Sequence, residues 1–252
     1  MNARKLITSI LIGAYVFFWT GGIVAHTFLG GPPEHVRWTA PFFLFLAGIL
    51  VVRAADARLR FRLVSVGLIG TAAELVGVHT GFPFGGYHYT DALFPLAAGV
   101  PLVMMCAWMV LAGFVYQVVA TLQLPRTLSV LLFAGLLTSI DLVIDPLAAG
   151  PLEYWIWDAT GAYYGIPVTN FAGWFLVSLV IAVVMGSYCT HNSMHWFVGY
   201  SITTFFAILA VTHGMGIAAF IGAVLLTLAA YVYFKHRANI AFAAGSSKSM
   251  AP

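Results

Sequence analysis

Eight long apolar stretches follow one another along this chain of 252 residues and restrict the folds open to it. Their approximate bounds are 6–28, 38–52, 61–78, 96–120, 127–144, 170–185, 194–211 and 215–234. A helix of about 17 to 25 apolar residues crosses a bilayer and satisfies its backbone polar groups internally. The pattern therefore predicts an all-α, polytopic membrane bundle of eight helices, or of seven if the short second stretch does not cross.

The composition agrees with a membrane protein, because 62% of the residues are hydrophobic, 8% are charged and the mean hydropathy is +0.97. Such a chain has no polar shell for a soluble globule. We expect a single integral membrane domain over 1–252, with a motif-bearing core over 60–190 and a flexible tail over 244–252. The net charge of +3 is not gathered in a basic run, which argues against a nucleic-acid partner.

The basic residues predict the orientation of the bundle. Nine basic residues that flank the apolar stretches fall on one side: Arg4, Lys5, Arg53, Arg58, Arg60, Arg62, Arg126, Lys235 and Arg237. The positive-inside rule places that side in the cytoplasm, together with both termini. Apart from Asp56, the acids fall in the outer half or in the outer loops. We therefore expect a multi-pass protein of the cell (cytoplasmic) membrane.

Metal and cofactor motifs are missing or weak in this sequence. Among the eight histidines, only His191 and His195 have helical ligand spacing, and they fall on the side opposite to the acids. No phosphate-binding glycine loop, nucleophile elbow or redox cysteine motif occurs. Cys106 and Cys189 are expected on opposite sides of the membrane as reduced packing residues. We predict no metal and no cofactor.

Glu74 is the most prominent of three acids that lie within or at the ends of apolar stretches. An ionisable side chain at membrane depth costs about 2.5 to 3.5 kcal/mol on insertion scales, so it is kept where it meets a partner, water or substrate. Gly70 and Gly77 offer thin helix surface on nearby faces, which lets a neighbouring helix or a ligand approach closely. A helix–helix hydrogen bond is the alternative role for Glu74.

Asp141 and Asp145 form a second acidic feature. They are four positions apart, so a helix presents both carboxyls on one face. Pro146 disfavours helical geometry at the residue before it, which predicts that the helix ends near Asp145. A purely structural role at a helix end is the alternative for Asp145.

Two outer loops, 79–95 and 146–169, each follow an acid-bearing helix and are rich in glycine, proline and aromatic residues. Glycine and proline break helices and permit tight turns, while aromatic side chains supply an apolar surface with a polar edge. An interfacial aromatic belt is the alternative interpretation.

Buried acids beside aromatic loops suit the protonation of an electron-rich double bond. Aromatic faces stabilise the resulting cation, and an ionised second acid directs a water molecule to it. A cyclase or isomerase would use the same protonation and release a proton afterwards, whereas a proton-coupled transporter would use the acids as a relay.

The pattern of these motifs resembles the membrane carotenoid-biosynthesis family over roughly residues 60–190. The resemblance is carried by Glu74, Gly77, Thr80, Gly81, Pro83, Phe84, Gly85, Tyr87, Asp141, Asp145, Pro146, Trp155, Trp157, Gly161, Tyr163, Tyr164, Gly165, Pro167, Asn170, Gly173 and Trp174. Members of that family include hydratases that act on γ-carotene and on bisanhydrobacterioruberin. They add water across a terminal carbon–carbon double bond and leave a tertiary hydroxyl.

The resemblance implies a carotenoid hydratase without a redox cofactor, whose partners are a C40 or C50 carotenoid, water, the bilayer and other enzymes of carotenoid synthesis. From chemistry and position, we expect Glu74 or Asp141 to donate the proton and Asp145 or Asp158 to orient water, with His79 nearby. We expect the substrate to contact Phe82, Phe84, Tyr87, Tyr89, Trp155, Trp157, Tyr163, Tyr164, Asn170 and Trp174.

Overall fold

The computed structural model of the protein describes residues 3–186 and 191–249, and side chains as far as residue 240. Within these ranges eight helices are long and apolar enough to cross a membrane, which confirms the eight-helix prediction. Their bounds are α1 Ala3–Phe28, α2 Thr39–Ala54, α3 Ala57–Thr80, α4 Met104–Thr121, α5 Arg126–Ala149, α6 Val168–Met185, α7 Ser193–Thr212 and α8 Gly216–Ser249. Cys189 lies outside the described residues.

The core of the bundle is built around α4. This helix packs against α2, α3, α5 and α7 and contributes a nearly continuous run of buried residues from Trp108 to Val119. In contrast, α1 lies at the periphery of the bundle, and its main packing partners are α2 and α7. The helix α8 continues to Ser249, into the segment 244–252 expected to be a flexible tail.

The fifth helix does not end at Asp145, so that part of the prediction is wrong. α5 continues through Pro146 to Ala149. Proline has no backbone N–H, and inside a helix this leaves the carbonyl four residues earlier without its usual partner. That carbonyl belongs to Leu142, and it accepts a hydrogen bond of 2.8 Å from the Tyr163 hydroxyl. The loop after the helix therefore satisfies the group that the proline leaves open.

The fourth helix begins later than the apolar pattern suggests, which corrects the predicted bounds of 96–120. Residues Leu96–Ala97 (β2) and Val100–Pro101 (β3) form a small antiparallel hairpin, and α4 starts only at Met104. Ala98 and Gly99 have positive φ angles of 49° and 82°, as a tight two-residue hairpin turn requires. Apolar content alone does not separate such a hairpin from a helix.

Two further strands bring the two aromatic loops together. Tyr87–Tyr89 (β1), from the loop after α3, pairs in antiparallel fashion with Trp155–Trp157 (β4), from the loop after α5. Both loops therefore lie at the same end of the bundle and form one structure. The assignment of that end to the outside of the membrane stays a prediction from the basic residues.

Candidate active site

The β1–β4 sheet forms a lid over the acid-bearing helices. Its register places Tyr87 opposite Trp157 and Tyr89 opposite Trp155. Successive side chains of a strand point to opposite faces. The sheet therefore turns its tyrosines and tryptophans inward, where Tyr87 and Tyr89 are buried, while the middle pair, His88 and Ile156, is exposed.

Glu74 lies beneath this lid, 4% exposed, and accepts three hydrogen bonds from aromatic side chains. Its Oε2 accepts from the hydroxyls of Tyr87 and Tyr89, the latter at 2.9 Å. Its Oε1 accepts from Trp108 Nε1 on α4 at 3.2 Å. A carboxylate, which is an acceptor only, satisfies all three donors without carrying a proton.

Two glycines of α3 make room for these donors. The Trp108 indole packs directly onto Gly70, at a distance that leaves no space for a β-carbon. A β-carbon at Gly77 would lie 2.9 Å from the Phe84 ring and 3.0 Å from the Tyr87 hydroxyl. The predicted thin surface beside Glu74 is thus present, and it is occupied by the residues that bind the carboxyl.

Both tyrosines remain hydrogen-bond donors over the ordinary pH range. Burial, followed by the charge of Glu74, raises the pKa of Tyr87 and of Tyr89 well above the usual value of a phenol. Ionised tyrosines would be repelled by the carboxyl that they contact. The lid is therefore held to α3 by donors that do not titrate.

The second acidic group is a pair of carboxyls joined by one amide. Asn170, in the first turn of α6, donates from Nδ2 to Asp141 Oδ2 at 2.8 Å and to Asp145 Oδ2 at 2.7 Å. All three side chains are no more than 2% exposed. Because both carboxyls contact the same nitrogen, they lie close together, and a proton held between two such carboxyls would relieve the repulsion between their negative charges.

The lid also contacts this pair. Trp155 Nε1 donates to Asp145 Oδ1 at 2.7 Å. Trp157 lies close enough to Asp145 to affect its carboxyl electrostatically. Its buried indole N–H, however, makes no hydrogen bond of normal geometry to any described residue. Tyr89 packs edge-on against Trp155 with ring centroids 5.7 Å apart. The same two-stranded sheet thus connects Glu74 on α3 with Asp145 on α5.

A partly open, mainly apolar cavity of about 830 Å³ reaches Asp141. Such a volume lies within the range of roughly 300 to 1,000 Å³ that is typical of small-molecule sites. Its walls come from α1, α2, α4, α5, α6 and α7, and they include Trp155 of the lid and Trp174 of α6. Neither Glu74 nor Asp145 lines it. Of the three membrane acids, Asp141 is the one that faces the space where an apolar ligand fits.

Trp174 links the cavity wall to the Glu74 cluster. Its ring stacks on that of Trp108 with centroids 4.2 Å apart and an interplanar angle of 20°. Trp108 in turn donates to Glu74. The carboxyl of Glu74 therefore holds an aromatic wall in place from behind, without meeting the cavity itself.

Several residues predicted for the site are not brought to the carboxyls. The Asp158 side chain is 65% exposed and faces His88, whose Nδ1 is 3.8 Å away. His79 lies exposed at the end of α3. Phe82 is 67% exposed, and the Tyr164 hydroxyl accepts from the backbone N–H of Ile217.

Others among the predicted residues support the site. Phe84 is buried and packs against Tyr87. Tyr163 closes the gap in α5 that Pro146 leaves. Sequence reasoning missed Trp108, because one tryptophan within a long apolar stretch carries no local sign of a polar partner.

Known proteins share much of this chain. A family model described as "Carotenoid biosynthesis protein" matches residues 39–233. A curated protein of Haloarcula japonica, bisanhydrobacterioruberin hydratase, is 36% identical over 167 residues, which are 61% of this chain and 55% of that protein. The matched part thus spans about half the length of that relative. No solved structure matches the chain.

Proposed function

Since this chain belongs to the carotenoid biosynthesis protein family, we propose that it is a hydratase of the terminal C1–C2 double bond of an acyclic or monocyclic carotenoid. The observation that carries the proposal is the position of Asp141 in the wall of a large apolar cavity. A polyene end that lies in this cavity meets a carboxyl with a second carboxyl directly behind it. The relative named as a hydratase supports the same reaction.

The first step is a proton transfer. Asp141, carrying the proton that it shares with Asp145, delivers it to C2 of the terminal alkene, and the π electrons of that double bond form the new C–H bond. The positive charge then resides on C1, a tertiary carbon. The faces of Trp155 and Trp174, which line the cavity, stabilise this cation.

The second step restores the acid pair. The oxygen of a water molecule bonds to C1 and releases one proton to the carboxylate pair. The product is a tertiary alcohol, and the pair returns to its starting protonation. Alkene and water together contain every atom of the product, so the reaction needs no oxidant or reductant.

Product analysis tests the proposal directly. The protein is produced in a pigment-forming host that lacks its own hydratase. The carotenoids are then separated, and their molecular masses are measured by mass spectrometry. We expect a more polar pigment that is heavier by one water. A product of unchanged mass would instead indicate cyclisation or isomerisation. Unaltered pigments together with flux that follows a pH gradient would indicate transport.

Asn170 is expected to position the acid pair. In Asn170→Ala, the two carboxyls lose their common donor and move apart. We expect the hydration rate to fall by up to about 100-fold, as small displacements of reacting groups commonly cause. Turnover of purified protein in detergent measures this, with Asn239→Ala on the exposed surface of α8 as the matched control. Full activity in Asn170→Ala would show that the amide does not position the carboxyls.

Asp158 is expected to be dispensable, because it lies on the outer face of the lid. Asp158→Asn should keep the hydration rate within about twofold of the unmodified protein, a change of about 0.4 kcal/mol or less in the barrier. The same turnover assay measures it. A loss of tenfold or more, on the order of 1.4 kcal/mol in the barrier, would place the residue that orients water outside the cavity.

A further inference from the structure

The helix α1 forms one wall of the cavity, although it lies outside the part of the chain that the family model matches. Its contribution comes from two adjacent rows of residues with four-residue spacing. One row is Phe17, Gly21 and Ala25, and the other is Phe18, Gly22 and His26. Residues four apart lie on the same face of a helix. The outer half of α1 therefore faces the cavity along its length.

Two of these residues are also exposed on the surface of the bundle. Phe17 is 72% exposed, and Gly21 is exposed as well. Both lie well inside a helix of membrane-spanning length, so the surface that they share with the cavity faces lipid. A residue that borders a cavity and the lipid surface at once marks the position where the cavity opens to the bilayer.

Gly21 has no side chain to fill this opening. A β-carbon built at Gly21 meets nothing within 4 Å, so the space beside it is open. In the neighbouring row, a β-carbon at Gly22 would lie 2.9 Å from the Phe205 ring of α7. Gly22 thus serves the packing of α1 on α7, whereas the lack of a side chain at Gly21 leaves a passage.

Hydrogen bonds to α7 hold α1 at Trp19, at the level of the opening, and at Tyr15, one turn before it. Tyr15 is the only buried residue of α1, all of which the structure describes, and its hydroxyl lies 2.8 Å from Ser201 Oγ. Trp19 Nε1 donates to the carbonyl of the same serine at 2.9 Å. The Phe18 ring also packs edge-on against Phe42 of α2, and His26 packs edge-on against Phe205 of α7. Phe17 and Gly21 take no part in these contacts and stay exposed.

We propose that the polyene enters the cavity sideways from the bilayer, across α1 between Phe17 and Gly21, and that the size of the side chain at position 21 determines which polyenes pass. The inference rests on the proposed function only for the identity of the ligand. A substrate dissolved in the hydrocarbon core then reaches Asp141 without crossing the aqueous face of the lid.

Gly21→Leu tests this passage, with Gly13→Leu as its matched control. Gly13 lies on the same helix, is exposed and also has nothing within 4 Å of an added β-carbon, but it does not line the cavity. The protein in dodecylmaltoside micelles is mixed with micelles that carry an acyclic C40 carotene. Quenching of the fluorescence of the cavity tryptophans then reports the rate of binding.

We expect Gly21→Leu to slow binding by about tenfold or more, within the range of about one to three decades over which association rates of related complexes vary, and Gly13→Leu to leave it unchanged. Equal rates in Gly21→Leu and in the unmodified protein would overturn the proposal. An equal loss in both leucine variants would overturn it too, because the effect would then belong to α1 as a whole.

Phe17→Ala provides a second test that does not depend on the folding of Gly21→Leu. Removal of this exposed ring widens the opening, so we expect binding at least as fast as in the unmodified protein and faster binding of a carotene with a cyclic end group. Phe61→Ala, at an exposed phenylalanine of α3 that is not part of the cavity wall, is the control. Slower binding in Phe17→Ala alone would contradict a passage at this position.

The binding assay separates this inference from the proposed function. If the carotene binds and Gly21→Leu slows binding, but no hydrated product forms, the passage stands and the hydratase reaction fails. If hydrated product forms and Gly21→Leu binds carotene at the normal rate, the reaction stands and the passage is wrong.

Discussion

Asp141→Asn is expected to abolish hydration while the protein remains folded. The loss should be about 100-fold to 10,000-fold, the range over which a positioned proton donor accelerates a reaction. The amide has the shape of the carboxyl, and its oxygen can still accept the hydrogen bond from Asn170 Nδ2. Turnover of an acyclic carotene in detergent measures the activity, and thermal unfolding in the same detergent measures the stability.

Asp158→Asn is the matched control, since it makes the same change at an exposed aspartate. Hydration by Asp141→Asn at more than about one third of the normal rate would show that the proton comes from another group, because removal of a true donor costs far more. A variant without activity but with a much lower unfolding temperature would need Asp141→Glu as a second test. Restored activity in Asp141→Glu would then support a chemical role.

Glu74→Ala is expected to cause a large loss of stability. It removes the acceptor of Tyr87, Tyr89 and Trp108, which are buried beneath the lid or in the core. Each buried polar group left without a partner costs about 1 to 3 kcal/mol. We therefore expect a destabilisation of at least about 3 kcal/mol, measured by unfolding in mixed detergent micelles. Glu34→Ala, whose side chain is 89% exposed, should change stability little.

Glu74→Gln distinguishes support from proton donation. The glutamine keeps one acceptor oxygen but turns an amide N–H₂ towards a donor, so we expect a milder destabilisation, on the order of 1 to 3 kcal/mol. Because Glu74 does not line the cavity, hydration should persist in the fraction that folds. A stable Glu74→Gln protein without hydration activity would instead identify Glu74 as the proton donor.

Much of the architecture could be predicted because it depends on local properties of the chain. The eight apolar stretches correspond to eight helices, and the resemblance to the carotenoid-biosynthesis family is confirmed by the match over 39–233. The prediction that α5 ends at Asp145 was wrong, since Tyr163 supplies the donor that Pro146 cannot. At that position, a hydrogen bond from the following loop outweighed the tendency of proline to end a helix.

The candidate site could be predicted only in part. Buried acids and aromatic loops were visible in the sequence. However, Asp158 and Phe82 are of the same residue types as the buried Asp145 and Phe84, and yet they point outwards. The direction of the lid side chains follows from the register of β1 with β4, and a shift by one residue would reverse it. Strand register between distant segments leaves no trace in the local pattern.

By itself the sequence determined that the chain crosses a membrane and that carboxyl groups lie within it, because the length of an apolar stretch and the cost of a buried acid are properties of each segment. Only the tertiary structure decided that Asp141 meets the cavity while Glu74 holds the lid and the wall behind it. The physical reason is that these roles depend on how helices rotate and pack against one another. Contacts such as Trp108 on Gly70 set that packing, and they join residues that are far apart in the chain.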